Sequence, residues 1–132
     1  MTVRRESFHL RPEGEKGFGY AQAVRIGQVV HISGVLAVDD DFATVGAGDM
    51  AAQIRAVYAT LAEVLARFGA GFADVVKETV FVTDMDAFLA ANSVRVAVYA
   101  GLDLPAVTAV EVRRLAFPDN MIEVEATAAL RD

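Results

Sequence analysis

The residues able to do chemistry are few, and two of them sit where a strand is otherwise fit for burial. Met121 to Leu130 reads Met-Ile-Glu-Val-Glu-Ala-Thr-Ala-Ala-Leu. Period two sets Ile122, Val124 and Ala126 on one face and Met121, Glu123, Glu125 and Thr127 on the other. The plain reading of Glu123 and Glu125 is one exposed or ion-paired strand face; a functional carboxylate is the alternative. His31, within Val-Val-His-Ile-Ser, reads as a satisfied structural histidine in a core-like strand, although its usual pKa also suits acid–base work. His9 is the only other histidine and there is no cysteine, so no metal site, disulfide or thiolate nucleophile is expected. Asp39-Asp40-Asp41 lacks a glycine-containing ligand loop with a terminal Glu and is expected to be solvated. Gly17-Phe18-Gly19-Tyr20 lacks the following glycine and the preceding strand of a dinucleotide loop. Tyr20 opens a strand and reads as packing, Ser33 as a polar strand end, and Arg113-Arg114 as surface charges or ion pairs between subunits.

The elements that must position these residues follow from periodicity and punctuation. Val3 to Leu10 predicts a short strand, and Arg11 to Gly19, with Pro12 and three glycines, predicts a loop. Tyr20–Ile26 and Gln28–Val35 predict a hairpin split at Gly27, followed by a loop from Ala37 to Gly48. Asp49 caps a predicted helix with Ile54, Val57, Leu61, Val64, Leu65 and Phe68 on one face and Gly69 at its end. Val75 to Thr83 predicts a strand, and Asp84 caps a second helix, Met85 to about Ala100, closed by Gly101. Pro105 to Leu115 and Met121 to Leu130 predict two strands joined by a tight connection at Phe117-Pro118-Asp119-Asn120. In the first of these, Val107, Ala109, Glu111 and Arg113 share one face.

The order predicts a single two-layer α+β domain over residues 1–132, with a six-stranded sheet and two helices on one face. The other face is too rich in Val and Ala for water, which predicts burial in a homo-oligomer. A net charge of −6 argues against nucleic-acid binding, because phosphate neutralisation needs a basic face. Met1 to Leu10 carries Arg4, Arg5 and Glu6 without an apolar core, so no signal peptide is expected. No apolar run reaches membrane-spanning length, and the lack of cysteine suits a cytoplasmic protein.

The chain resembles the Rid family, the YjgF-type reactive-intermediate deaminases also called the L-PSP endoribonuclease family. The resemblance runs from about Gly19 to Leu130. It is carried by Tyr20-Ala-Gln, Ile32-Ser33-Gly34, Ala51-Ala52-Gln53, Gly69, the stretch from Asp74 to Met85, Phe88 with Asn92, Pro105-Ala106, Val110-Glu111-Val112 with Leu115, and Ile122 to Ala126. No single piece is specific; all of them in order are. The resemblance implies a chorismate-mutase-like fold with a mixed sheet, and a homotrimer whose sheets line a central β-barrel with small-molecule clefts between subunits. It implies hydrolysis of enamines and imines such as 2-aminoacrylate and 2-iminopropionate, with no cofactor or metal. By motif, Tyr20 and Ser33 would line the cleft and Glu123 would position or activate water. Phe88 and Asn92 would lie near its wall, and the backbone at Gly34 would be open to hydrogen bonds.

One departure bears on the substrate. Family deaminases carry Arg two residues after the Pro of Pro105-Ala106, where it grips the substrate carboxylate; this chain has Val107. Two residues on, where Cys is frequent, it has Ala109. Losing a charge-assisted contact costs about 1.5–3 kcal/mol, so a small 2-imino acid is expected to be a poor substrate. Arg25, Arg95, Arg113 or a neighbouring subunit are the other sources of a cation. A non-catalytic ligand-binding or regulatory trimer is the alternative reading, and ribonuclease activity fits the acidic balance least.

Overall fold

A computed structural model describes residues 3–131; Met1 and Thr2, at the head of the polar N-terminal stretch, and Asp132, at the end of the expected domain, lie outside the described residues. The elements are β1 (Arg5–Phe8), α1 (Pro12–Phe18), β2 (Ala23–Ile26), β3 (Val29–Leu36), α2 (Met50–Ala66), β4 (Val75–Val82), α3 (Met85–Val98), β5 (Ala106–Glu111) and β6 (Ile122–Ala129). A 3-10 turn at Phe72–Asp74 leads into β4. The six strands form one mixed sheet in the order β1-β2-β3-β6-β4-β5. All pairs are antiparallel except β4 with β5.

The two long helices start where short acidic side chains satisfy orphan backbone donors. Asp49 accepts from Ala52 N at 3.0 Å, and Asp84 accepts from Ala87 N at 3.0 Å. Glu111, at the end of β5, also reaches the first turn of α3 and accepts from Met85 N at 2.9 Å. Gly69 adopts φ 68° beyond α2, and Ala70 N bonds back to Leu65 O at 3.0 Å. The buried stripe of α2, with Ile54, Val57, Leu61, Val64 and Leu65, lies over β3 and β6 and shares one core cluster with Ile32, Val35, Val124 and Ala126.

The structure corrects three expectations. Arg11 to Gly19 is not wholly loop, because Pro12 to Phe18 forms a third helix. Pro12 stands in the first turn, Glu13 and Glu15 follow it, and Gly19 closes the helix at φ 93°. A helix this short has little stability of its own, and Glu15 anchors it. The fully buried carboxylate accepts from Arg11 N at 2.6 Å and meets His9 Nδ1 at 3.0 Å. Second, the strands flanking Phe117–Asn120 are not joined by a tight connection: β5 ends at Glu111 and β6 starts at Ile122. β4 lies between β5 and β6, so residues 112–121 cross over its end. Third, His31 is exposed on the face opposite the helices and pairs in register with Thr127. A bulge in β3 between Ile32 and Val35 shifts the alternation and places Leu36 beside Glu123 on that open face.

Beneath the helices lies a charged cluster within the core. Glu78 of β4 is fully buried. It accepts from Tyr58 Oη of α2 at 2.6 Å and from Arg95 Nη2 of α3 at 3.1 Å, and Tyr99 Oη bonds to its second oxygen. Arg95 Nε also donates to Tyr58 Oη at 2.8 Å. Burial, followed by the adjacent Glu78, holds both phenols well above their usual pKa. One strand is thereby tied to both helices by polar contacts that water cannot replace. Arg95→Met leaves the Glu78 charge bare and should lower unfolding free energy by about 3–5 kcal/mol in urea titrations. Tyr99→Phe, which removes one bond to a charged group, should cost about 1.5–3 kcal/mol; equal losses would contradict a dominant ion pair.

Candidate functional site

A cavity of about 330 Å³ opens at one end of the sheet's uncovered face. Tyr20, Ser33, Gly34, Leu36 and Glu123 form its floor and sides, and Phe18, Phe42, Ala116 and Phe117 form its mouth. Four of the residues singled out from sequence thus share one cavity: Tyr20, Ser33, Gly34 and Glu123. The β3 bulge accounts for two of them. Ser33 N bonds to Gln22 O at 2.8 Å, and Ser33 Oγ donates to Ala21 O at 2.7 Å. With its proton committed to a carbonyl and no base in contact, Ser33 is an acceptor toward a ligand rather than an activated nucleophile. Gly34 lets the Glu123 carboxylate lie against its backbone, since a Cβ there would overlap that carboxylate and displace it.

Glu123 is a poorly solvated carboxylate. Burial chiefly, and the like charge of Glu125, raise its pKa above the ordinary glutamate range. The Tyr20 phenol is likewise raised, by burial first and then by the charges of Glu15 and Glu123, with Arg11 opposing. Tyr20 therefore stays protonated and can donate. Among the described residues neither the Tyr20 hydroxyl nor the Glu123 carboxylate has a protein hydrogen-bond partner, so both remain available to a ligand. The cavity lining contains no Lys, Arg or His.

The other four predicted site residues lie elsewhere. Phe88 is buried in the core. Asn92, on α3, keeps a buried Oδ1 without a partner. Val107 and Ala109 are on β5, exposed, in register with Glu78 and Val80 and so on the helix side of the sheet. None of the four lines the cavity. The alternative cations are also accounted for. Arg95 is bound to Glu78 in the core, Arg25 bonds to Gly27 O at 2.8 Å and Gln28 Oε1 at 2.9 Å, and Arg113 is exposed beyond β5. The Asp39–Asp41 run is exposed, and Asp39 Oδ1 accepts from Asp41 N and Ala43 N at 2.9 and 3.0 Å to close a turn.

Sequence reasoning missed the aromatic mouth. Phe18, Phe42 and Phe117 come from three separate segments, each beside Gly, Pro or acidic turn residues. Large apolar side chains in such turns were the available signal. Phe42 has φ 63°, a left-handed conformation that costs a bulky residue about 1–3 kcal/mol.

The sequence matches the family described as Endoribonuclease L-PSP over residues 14–130. A RutC family protein of Pyrococcus abyssi is 36% identical, covering 83% of this chain and 84% of that one. The 2-iminobutanoate/2-iminopropanoate deaminase of Salmonella typhimurium is 36% identical, covering 85% of this chain and 88% of its own. The crystal structure of a YjgF/YER057c/UK114 family member from Mycobacterium tuberculosis superposes with a TM-score of 0.82 at 31% identity, covering 96% of this chain and all of that one. This chain belongs to the L-PSP endoribonuclease family, the YjgF or Rid group, and has its α+β fold. Among the described residues no helix is long and apolar enough to cross a membrane.

Two outcomes test the site's electrostatics. The raised Glu123 pKa means that, between the ordinary glutamate value and the raised one, the folded state binds more of this proton than the unfolded chain does. This group therefore favours folding at low pH and opposes it as pH rises through the raised value. Glu123→Gln should be more stable than the parent at pH 7 and lose that advantage below the ordinary glutamate range, as read by thermal unfolding across pH. Gly34→Ala should push the carboxylate toward solvent. Its carbon-13 NMR titration should then move back toward ordinary glutamate; an unchanged titration would show that Gly34 does not set the carboxylate's position.

Proposed function

We propose that this chain is a deaminase-type hydrolase of enamines or imines, acting in clefts between the subunits of a cytoplasmic homotrimer. Its substrate is something other than a small 2-imino acid. The observation that carries the reading is the convergence of Tyr20, Ser33, Gly34 and Glu123 on one cavity whose lining offers no cation. In the reaction Glu123 accepts a proton from water as the water oxygen bonds to the imine carbon. Tyr20 donates a hydrogen bond to the nitrogen, and Glu123 passes the water proton on to that nitrogen, giving the neutral carbinolamine. Glu123 then takes the carbinolamine hydroxyl proton and delivers it to the nitrogen as the C–N bond breaks, so that ammonia leaves as NH3 and the C–O bond becomes the carbonyl. An enamine reaches the same point once its carbon is protonated. The Salmonella relative's name supports an imine substrate class.

The homotrimer is supported by surface chemistry as well as kinship. β5 is an edge strand with Val107 and Val110 exposed, and Leu89, Val96, Leu102 and Leu104 lie exposed on α3 and the segment between α3 and β5. Such apolar surface favours cover by another copy. Asn92, Val107 and Ala109 belong to the α3–β5 edge and the Tyr20–Glu123 cavity to the opposite face, so a site using both sets draws on two copies.

The test is ammonia release from 2-iminopropionate formed in place by an amino-acid oxidase, with Val107→Arg beside the parent. The parent should be poor, and Val107→Arg should gain about 10- to 150-fold, the rate equivalent of one charge-assisted contact. Glu123→Gln in the Val107→Arg background should remove at least about 100-fold of that rate. A parent as active as Val107→Arg would sink the substrate assignment, and sedimentation as a monomer would sink the intersubunit cleft.

A further inference from the structure

We propose that Phe18, Phe42 and Phe117 form an aromatic clamp that receives a flat apolar substituent of the ligand. The favoured substrate is then an imine or enamine bearing an aryl-like group and no carboxylate at the reacting carbon. The inference rests on reading the cavity as a ligand cleft, and it names the class of ligand that cleft takes.

The three rings meet one another at the mouth. Phe18 and Phe42 have centroids 5.7 Å apart with planes at 65°, Phe18 and Phe117 6.4 Å at 70°, and Phe42 and Phe117 6.2 Å at 54°. These are edge and tilted contacts of the kind aromatic rings prefer, and they make a continuous apolar wall. The cluster is not a piece of core, because Phe18 is 67% exposed. It is also costly to build, which argues against an incidental surface. Phe42 is held in a left-handed conformation by the Asp39 turn, and its ring occupies the space that a Cβ at Gly14 would need. Arg11, the nearest cation to this wall, has its guanidinium carbon 5.8 Å from the Phe42 centroid, with Nη2 bonded to Val38 O and Nε beside Asp40. It does not line the cavity.

The same cavity is lined by Tyr20, Ser33 and the desolvated Glu123. Its lining therefore joins polar groups to aromatic rings. A ligand complementary to both has a hydrogen-bonding C–N unit at one end and an apolar plate at the other. A carboxylate at the reacting carbon would face Glu123 with no cation in the lining, a like-charge contact at short range. Size agrees: an apolar cavity of about 150 Å³ holds benzene, and the roughly twofold larger space here holds a ring together with a small polar head.

The test is isothermal titration calorimetry on the assembled protein at pH 7 with three stable probes. Benzamide carries the ring and an uncharged planar head, benzoate carries the ring and a carboxylate, and propanamide carries the head without the ring. Benzamide should bind at least tenfold more tightly than either of the others. Phe42→Ala and Phe117→Ala should each weaken benzamide at least tenfold while leaving propanamide unchanged. Gly14→Ala, which displaces the Phe42 ring without deleting it, should do the same. Sedimentation and circular dichroism of each variant should match the parent. Benzoate binding as tightly as benzamide would overturn the uncharged assignment, since a cation would then have to reach the site. Equal binding of propanamide and benzamide, no binding of benzamide, or indifference to the phenylalanine substitutions would overturn the clamp. Disassembly of the oligomer by Phe18→Ala would also overturn it by assigning the rings to a subunit contact. Ring-dependent binding with no imine hydrolysed would support the clamp and sink the hydrolase reading. Hydrolysis insensitive to the three rings would sink the clamp alone.

Discussion

The side-chain amide of Gln53 holds the site together from below. It is fully buried in α2, and its side-chain hydrogen bonds all go to the backbone of two loops. Nε2 donates to Asp119 O at 2.8 Å and to Gly46 O at 3.3 Å, and Oε1 accepts from Met121 N at 2.7 Å. Asn120 adds a bond from Nδ2 to Ala37 O at 3.1 Å, although its buried Oδ1 has no partner. The 37–48 loop carries Phe42, the 112–121 crossover carries Phe117, and the second of these leads directly into Glu123. A buried amide left unpaired is costly, whereas a fully paired one specifies a single arrangement. Both loops are thereby fastened to α2.

Beneath this, the Glu78–Arg95–Tyr58–Tyr99 cluster does for the layers what Gln53 does for the loops. Apolar packing between a sheet and two helices tolerates sliding, because the hydrophobic effect has no direction. A buried carboxylate with a guanidinium and two phenols does not tolerate it, since each partner must remain within bonding distance. The cluster sets where α3 lies relative to β4 and β5, and hence where Asn92 stands relative to Val107. It also takes Arg95 out of any role in ligand binding.

The cavity's chemistry follows from contrast between its walls. Glu123 projects from a strand whose alternate residues are buried, so its carboxylate sits beside apolar surface and over the bare backbone of Gly34. The same desolvation that raises its pKa makes it a better proton acceptor from a bound water. The aromatic mouth supplies that low-polarity setting and, through Phe42, stores backbone strain at the entrance. The Salmonella relative is named for carboxylate-bearing imines; a cavity lining with an aromatic part and no cation is what the change of substrate proposed above would require.

Much of the fold was legible in the residues themselves. Asp49 and Asp84 announced the helices because capping is local, and the alternation of Ile122 to Ala126 separated buried from open positions because strand geometry alternates strictly. The motifs around Tyr20, Ser33 and Glu123 marked residues that meet in one cavity. Three things were not legible. The helix at Pro12–Phe18 has local start and stop signals in Pro12 and Gly19, but at seven residues it depends on burial of the Glu15 carboxylate against His9 and the Arg11 amide. The insertion of β4 between β5 and β6 is a choice of pairing partner, and alternation says which face a side chain takes but never which strand lies beside it. The meeting of Phe18, Phe42 and Phe117 needed Gln53 and Asn120 to bring distant turns together. Period and capping are properties of neighbours in the chain and were settled by the sequence alone. Strand order, the placement of Arg95 and the aromatic wall rest on contacts between distant residues, and only the tertiary structure decided them.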